Sequence, residues 1–185
     1  MHQALVEQAR AGDEEAFASL ARAAGDRLLA IAYRILRDLP LAEDAVQQTL
    51  VIAWRELPSL RDTAAFEGWL RRLLVHACYR EARRNRRWAA NVRALTSEPA
   101  APSDGALDVA TRDQLDRGFR RLPPEQRATF VFHHYLGLTL TEIAGQLGIP
   151  VGTVKSRLHY ATTSLRAALE ADLRSPIEPT RERMG

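Results

Sequence analysis

Basic, hydroxyl and aromatic side chains follow one another without an acid along a short segment near the C-terminus. The range 151–169 contains Lys155, Ser156, His159 and Tyr160 but no Asp or Glu, although acids are common elsewhere in the chain. Ammonium, hydroxyl and imidazole groups can form hydrogen bonds with phosphate oxygens and base edges, whereas a solvated helix would normally mix both charges. This segment therefore predicts recognition of a phosphate-rich partner.

A second basic segment lies earlier in the chain. The range 69–93 carries eight arginines against one acid, Glu81, which gives a local net charge of +7 in a chain whose total is only +3. Such a cluster is typical of a polyanion site. The alternative interpretation is a solvated face in a chain that uses arginine almost to the exclusion of lysine.

Residue pairs that could perform catalysis or bind metal have unsuitable spacing. His133 and His134 are adjacent, so on a helix they point about 100° apart and do not share a metal, and His76 and Cys78 diverge similarly. One cysteine excludes a disulfide framework, and the chain lacks a glycine-rich phosphate loop. We therefore expect no catalytic residue, metal, cofactor or small-molecule substrate, and no enzymatic activity.

Helices must position these side chains, because helical periodicity is found throughout, whereas the alternating apolar and polar pattern typical of β-strands is nearly absent. The predicted fold class is all-α, and its helices are expected at 3–11, 13–37, 41–57, 63–88, 107–121, 124–136, 140–147 and 151–172. A segment rich in Pro, Ser, Ala and Gly predicts a flexible linker at 94–106. Two small helical domains, 1–93 and 107–174, should therefore be followed by a disordered tail at 175–185.

The last two helices predict a helix-turn-helix. Gly148 suits a helix end, and steps of about 100° place Val154, Leu158, Ala161 and Leu165 on one arc of the following helix. In this arrangement the second helix enters the major groove of DNA. A purely structural helical hairpin is the alternative. Asp13 and Thr63 are the predicted N-caps of two earlier helices.

The helix at 41–57 has an apolar stripe and a mixed outer face. The predicted core positions are Val46, Leu50, Ala53, Trp54 and Leu57. Val51 and Ile52 lie on the other side among polar residues, which suggests either a protein interface or cover by another helix.

The helix at 63–88 divides in the same way. Its predicted core positions are Phe66, Trp69, Leu70, Leu73 and Ala77, and its opposite arc carries Arg71, Arg72, Val75, Tyr79, Arg83 and Arg86. Arginines interleaved with an aromatic ring suit an unpaired strand, because cations follow the backbone and the ring stacks on a base.

Four segments together resemble the bacterial group IV, or extracytoplasmic-function (ECF), sigma factors of the sigma-70 family. They are GDEEAFASLARAAGDRLLAIAYRILRD, AEDAVQQTLVIAWREL, AFEGWLRRLLVHACYREARRNRR and LPPEQRATFVFHHYLGLTLTEIAGQLGIPVGTVKSRLHYATTSLRAAL. The resemblance covers roughly 10–172 and implies an alternative sigma factor, a dissociable subunit that gives RNA polymerase its promoter specificity. It assigns polymerase-clamp binding and −10 melting to 1–93, and −35 recognition to 107–174.

The resemblance also implies site residues. Polymerase contacts are expected at Asp44, Gln47, Gln48 and Val51; −10 contacts at Arg72, His76, Tyr79, Arg83 and Arg86; and −35 contacts at Thr153, Lys155, Ser156, Arg157, His159 and Tyr160. Family members often carry asparagine where His76 stands and arginine where Tyr160 stands.

The expected partners are core RNA polymerase, promoter DNA and an anti-sigma factor. The N-terminus lacks a secretory signal and no apolar run is long enough to span a bilayer, so we expect a cytoplasmic protein without membrane insertion. Two alternatives remain: a two-domain helix-turn-helix regulator that binds an operator, and an adaptor that acts through protein contacts alone.

Overall fold

The computed structural model describes residues 2–95 and 110–173, and every regular element in these two ranges is helical. The elements are α1 (His2–Arg10), α2 (Glu14–Leu36), α3 (Leu39–Glu56), two 3-10 turns (Leu57–Ser59 and Thr63–Ala65), α4 (Phe66–Leu95), α5 (Ala110–Arg121), α6 (Pro124–His134), α7 (Leu140–Leu147) and α8 (Val151–Leu173). The predicted all-α fold class is confirmed. Most of the predicted linker and the tail predicted at 175–185 lie outside the described residues.

Short acidic side chains begin several of these helices. The carboxylate of Asp13 accepts the backbone N–H of Ala16 at 3.0 Å, so the predicted cap of α2 is confirmed. The cap predicted at Thr63 is wrong, because the carboxylate of Asp62 accepts the N–H of Ala64 at 2.9 Å and begins a 3-10 turn before α4. Helix α4 also continues to Leu95, past its predicted end at 88.

Helices α1–α4 form the N-terminal bundle. Its interior contains Leu28, Ile31, Ile35, Leu57 and Leu74, all of which are fully buried. Burying an aliphatic side chain of this size stabilises the fold by about 1.5–3 kcal/mol. Helix α2 contacts α1, α3 and α4, so it forms the centre of the bundle.

Helices α5–α8 form the C-terminal bundle, and its apolar side chains divide between two clusters. Leu122, Ala161 and Leu165 form a small separate cluster against two phenylalanines. Phe132 and Ile143, by contrast, join the same apolar cluster as the core of the N-terminal bundle. Helix α6 contacts α2 and α4, and α7 contacts α4. The two bundles thus pack together in what we call the closed arrangement.

Polar side chains also bridge the two bundles. The buried Arg127 donates from Nη1 to the carbonyl oxygen of Leu36 at 3.2 Å, and Arg71 donates from Nε to Oε1 of Gln146 at 3.2 Å. Arg37 ends α2 with a φ of 57°, a left-handed conformation that is costly for a residue with a Cβ, and its guanidinium forms an ion pair with Asp116 of α5. Residues on both sides of the linker therefore hold the closed arrangement together.

Candidate nucleic-acid interface

The turn between α7 and α8 is built from local capping interactions. Thr139 and Glu142 form a capping box at the start of α7, in which the carboxylate accepts the N–H of Thr139 at 2.8 Å. Gly148 ends the helix with a φ of 65°, which favours a residue without a Cβ. Three residues then separate α7 from α8, so the predicted helix-turn-helix is present.

One face of helix α8 packs against the C-terminal bundle, and the opposite face is exposed to solvent. Of the predicted core arc, Val154 and Ala161 are fully buried, Leu165 is nearly so and Leu158 is half-buried. On the other side, four of the residues predicted to contact DNA are exposed: Lys155, Ser156, His159 and Tyr160. Thr153 and Arg157 are half-buried at the edges of this face. The open side of α8 combines a cation, hydroxyl groups and aromatic rings.

Local interactions orient two of these exposed groups. The hydroxyl of Ser156 donates to the carbonyl oxygen of Thr153 at 3.0 Å, which leaves its lone pairs directed outward as acceptors. The rings of His159 and Tyr160 lie 5.8 Å apart, centroid to centroid, in an edge-on arrangement. Both rings project from the N-terminal half of α8, the half that enters the groove first in helix-turn-helix proteins.

The five predicted −10 contacts share one continuous helix, and four of them are exposed. Arg72, His76, Arg83 and Arg86 are open to solvent along α4. Partial desolvation of the His76 ring and the neighbouring Arg72 and Arg80 lower its pKa, so near pH 7 the imidazole is neutral and offers both a donor and an acceptor. This stripe is strongly basic, as the sequence predicted.

Tyr79 and Val75 depart from the predicted open arc of α4. Val75 is fully buried, and the ring of Tyr79 is packed against the main core with its hydroxyl enclosed and lacking a hydrogen-bond partner. Burial raises the pKa of Tyr79, and charges of the other bundle act on it, from Arg157 in α8 and Glu125 in α6. The cause is α6 and α7, which pack on the side of α4 that the sequence suggested was free.

The predicted polymerase contacts line a shallow groove on α3. Val51 is 46 % exposed, and Asp44, Gln47 and Gln48 accompany it around a cavity of about 300 Å³. Arg84 of α4 completes the wall, because its guanidinium lies 2.9 Å from the Asp44 carboxylate. The structure thus brings the four predicted residues together beside one that the sequence did not indicate.

Sequence reasoning missed the residues that join the bundles. The sequence placed Arg71 on the basic arc of α4 and gave no prediction for Arg37 or Arg127, yet each has a partner in the other bundle. Their spacing carries no signal, because the partners are far away along the chain. The only available clue was Val75, an apolar residue on an arginine-rich arc.

Cys78 lies on the opposite side of α4 from the basic stripe. It is fully buried, and burial raises the pKa of its thiol to about 12. A thiol in this state is not a nucleophile near neutral pH. Across the described residues, no three His, Cys, Asp or Glu side chains cluster as metal ligands would, and none of the helices is both long and apolar enough to cross a membrane.

Two family models match the chain in the order of its bundles. The model described as sigma-70 region 2 matches residues 20–88, and the model described as sigma-70, region 4 matches residues 112–165. The first match contains α3 and the basic stripe of α4, and the second contains the helix-turn-helix.

Full-length relatives and solved structures agree with both models. The ECF RNA polymerase sigma factor SigL of Mycobacterium tuberculosis is 36 % identical over 173 residues, covering 86 % of this chain and 94 % of SigL. The sigma factor RpoE of Bartonella quintana, solved with the anti-sigma factor NepR, has a TM-score of 0.61 at 26 % identity, covering 80 % of this chain and 92 % of RpoE. CnrH, solved with the cytosolic domain of CnrY, has a TM-score of 0.63 at 26 % identity over 92 % of this chain and 97 % of CnrH. With region 2 and region 4 both present in one chain, this protein belongs to the ECF RNA polymerase sigma factors of the sigma-70 family.

Proposed function

We propose that this sigma factor binds core RNA polymerase and directs it to promoters by reading the −35 element and capturing the melted −10 element. The observation that carries the proposal is the exposed, acid-free face of α8 on a formed helix-turn-helix. We assign −35 reading to 107–174 and the other two tasks to 1–93. The chain contributes recognition, and the polymerase contributes the chemistry.

The proposed −35 contacts follow from side-chain reach. Ser156 is short and central, so a close approach of the helix lets its hydroxyl accept from a base amine or, on turning away from Thr153, donate to a phosphate. His159 and Tyr160 extend further along the same face, while Lys155 suits a phosphate. At the edges of this face, the half-buried Thr153 and Arg157 are placed to contact the DNA backbone that flanks the groove.

The −10 contacts are proposed on the basic stripe of α4. Arg72, Arg83 and Arg86 can follow a phosphate backbone, and His76 between them offers a neutral hydrogen-bonding ring. Tyr79 supplies the stacking surface, which becomes available only when the closed arrangement opens.

Protein partners are proposed from the α3 groove and from the solved relatives. An exposed valine among polar side chains suits a protein interface, and we assign this groove to core polymerase. RpoE was solved with an anti-sigma factor, and we propose a partner of the same class here. Since polymerase and promoter are its targets, we place the protein in the cytoplasm and assign it no enzymatic activity of its own.

Docking is tested by Val51→Asp, with Leu39→Asp as the matched control. Both residues are exposed and apolar on α3, but Leu39 lies in its first turn, outside the groove. A carboxylate at Val51 should abolish co-purification with core polymerase and promoter-dependent run-off transcription at unchanged helical content, since burying an unpaired charge in the interface is costly. If the two variants bind polymerase equally, the groove on α3 is not the docking site.

A further inference from the structure

A cavity of about 330 Å³ lies at the seam of the two bundles, away from the exposed face of α8. The N-terminal bundle contributes the end of α2 and one face of α4, and the C-terminal bundle contributes the end of α5 and the start of α6. None of the lining residues is acidic, and four are arginines: Arg86, Arg120, Arg121 and Arg127.

Arg127 is the innermost of these guanidiniums. It is 8 % exposed, its Nη1 donates to the Leu36 carbonyl oxygen at 3.2 Å, and its Nε is enclosed without a hydrogen-bond partner. Burial and the like charges of Arg37, Arg86 and Arg120 lower its pKa to about 10. A buried cation with an unsatisfied donor and like-charged neighbours is costly unless an anion compensates it.

Carboxylates that interact with these arginines do not provide that compensation. Asp116 pairs with Arg120 at 2.9 Å and also with Arg37, so one carboxylate is shared between two guanidiniums at the rim. Glu125 opposes the lowering of the Arg127 pKa, but its effect is smaller than those of burial, Arg37 and Arg86.

We propose that this cavity binds a small phosphate-bearing anion of about diphosphate size. Guanidinium groups hold phosphate oxygens through paired N–H donors, and the amide of Asn85 adds a neutral donor to the wall. The volume suits a diphosphate, and walls from both bundles exclude a duplex. Because Arg86 and Arg121 come from different bundles, the bound anion also stabilises the closed arrangement.

Isothermal titration of the full chain with sodium pyrophosphate, at constant ionic strength, tests the site. We expect saturable binding with one anion per chain, because the four arginines converge on one cavity of about 330 Å³. Arg121→Gln should weaken this binding by about tenfold or more, as expected for loss of a charge-assisted contact. Arg121 is exposed, so its replacement spares the core.

Arg87→Gln is the matched control, since Arg87 is an exposed arginine of α4 that does not line the cavity. It should change pyrophosphate affinity by less than about twofold. If the titration shows no saturable heat, or if both variants lose pyrophosphate affinity equally, the proposed anion site is wrong.

Two further titrations identify the source of the phosphate. Equal affinity for ADP and pyrophosphate supports recognition of the diphosphate itself, and tighter binding of ADP supports a nucleotide. Orthophosphate binding as tight as pyrophosphate would contradict the proposed size. The titrations use neither polymerase nor promoter, so their failure would leave the proposed function intact.

Discussion

Helices α8 and α4 carry the two proposed DNA-binding faces, and the closed arrangement treats them differently. On α8, Val154 and Ala161 are buried and hold the helix against its bundle, and the opposite face is exposed to solvent. The α4 stripe exposes its cations, but its tyrosine, Tyr79, is largely covered where α6 and α7 pack, with its hydroxyl enclosed. If the proposed contacts hold, α8 can read a duplex in the closed arrangement, whereas stacking of a base on Tyr79 requires the bundles to separate.

The contacts between the two bundles include polar ones that can separate in water. Several are polar, including the Arg71–Gln146 hydrogen bond and the Arg37–Asp116 ion pair, and polar groups regain partners in water when they part. The buried guanidinium of Arg127 is also better solvated outside the seam. Opening would also expose apolar side chains such as Phe132 and Ile143, which share one cluster with the N-terminal core, so we propose that a polymerase or promoter contact drives it.

The largest expected effect comes from locking the seam. Arg71→Cys combined with Gln146→Cys places two thiols where the native side chains are 3.2 Å apart, and a short bismaleimide can bridge them. The fully buried Cys78, whose thiol pKa is raised to about 12, should not react. The cross-linked chain should lose affinity for a single-stranded −10 oligonucleotide by up to about a hundredfold, because the stacking ring stays covered.

The uncross-linked double variant is the control for that experiment, and binding to a −35 duplex is the internal reference. Fluorescence anisotropy should show duplex binding within about twofold of the uncross-linked chain, since the α8 face is already open. Equal single-strand affinity before and after cross-linking would show that the seam does not govern access to α4.

A smaller effect is expected from Tyr79→Ala. Loss of base stacking costs about 1–3 kcal/mol, so permanganate footprinting of the holoenzyme should show reduced −10 melting with polymerase binding retained. Tyr79→Phe is the matched control. The Tyr79 hydroxyl is enclosed without a partner, so its removal should preserve melting and leave stability equal or slightly higher. Normal melting by the alanine variant would place stacking elsewhere.

The sequence predicted the α8 face and mispredicted part of the α4 face for one physical reason. The apolar arc of α8 and the cap at Gly148 are local features, so periodicity and turn chemistry specify them. Tyr79 is covered by helices that follow the linker in the sequence. The periodicity of α4 alone cannot show which other helix will pack on α4. Arg127 was unpredictable because an arginine in a short helix is expected to be solvated.

The smallest expected effect is a change in sequence preference at the open face of α8. Replacing Ser156 or His159 by alanine should cost about 1 kcal/mol for each lost base contact, and the cost should vary with the −35 sequence because base edges differ in their donors and acceptors. Lys155→Ala provides the contrast, since loss of a phosphate contact should weaken all sequences alike and reduce the salt slope by about one unit. Selection from a randomised −35 library, with the exposed Thr163→Ala as a control further along α8, separates these outcomes. If the Ser156 and His159 variants kept the parental ranking of sequences, α8 would not be the reading helix, and openness to solvent alone would be a poor guide to which face of this chain recognises DNA.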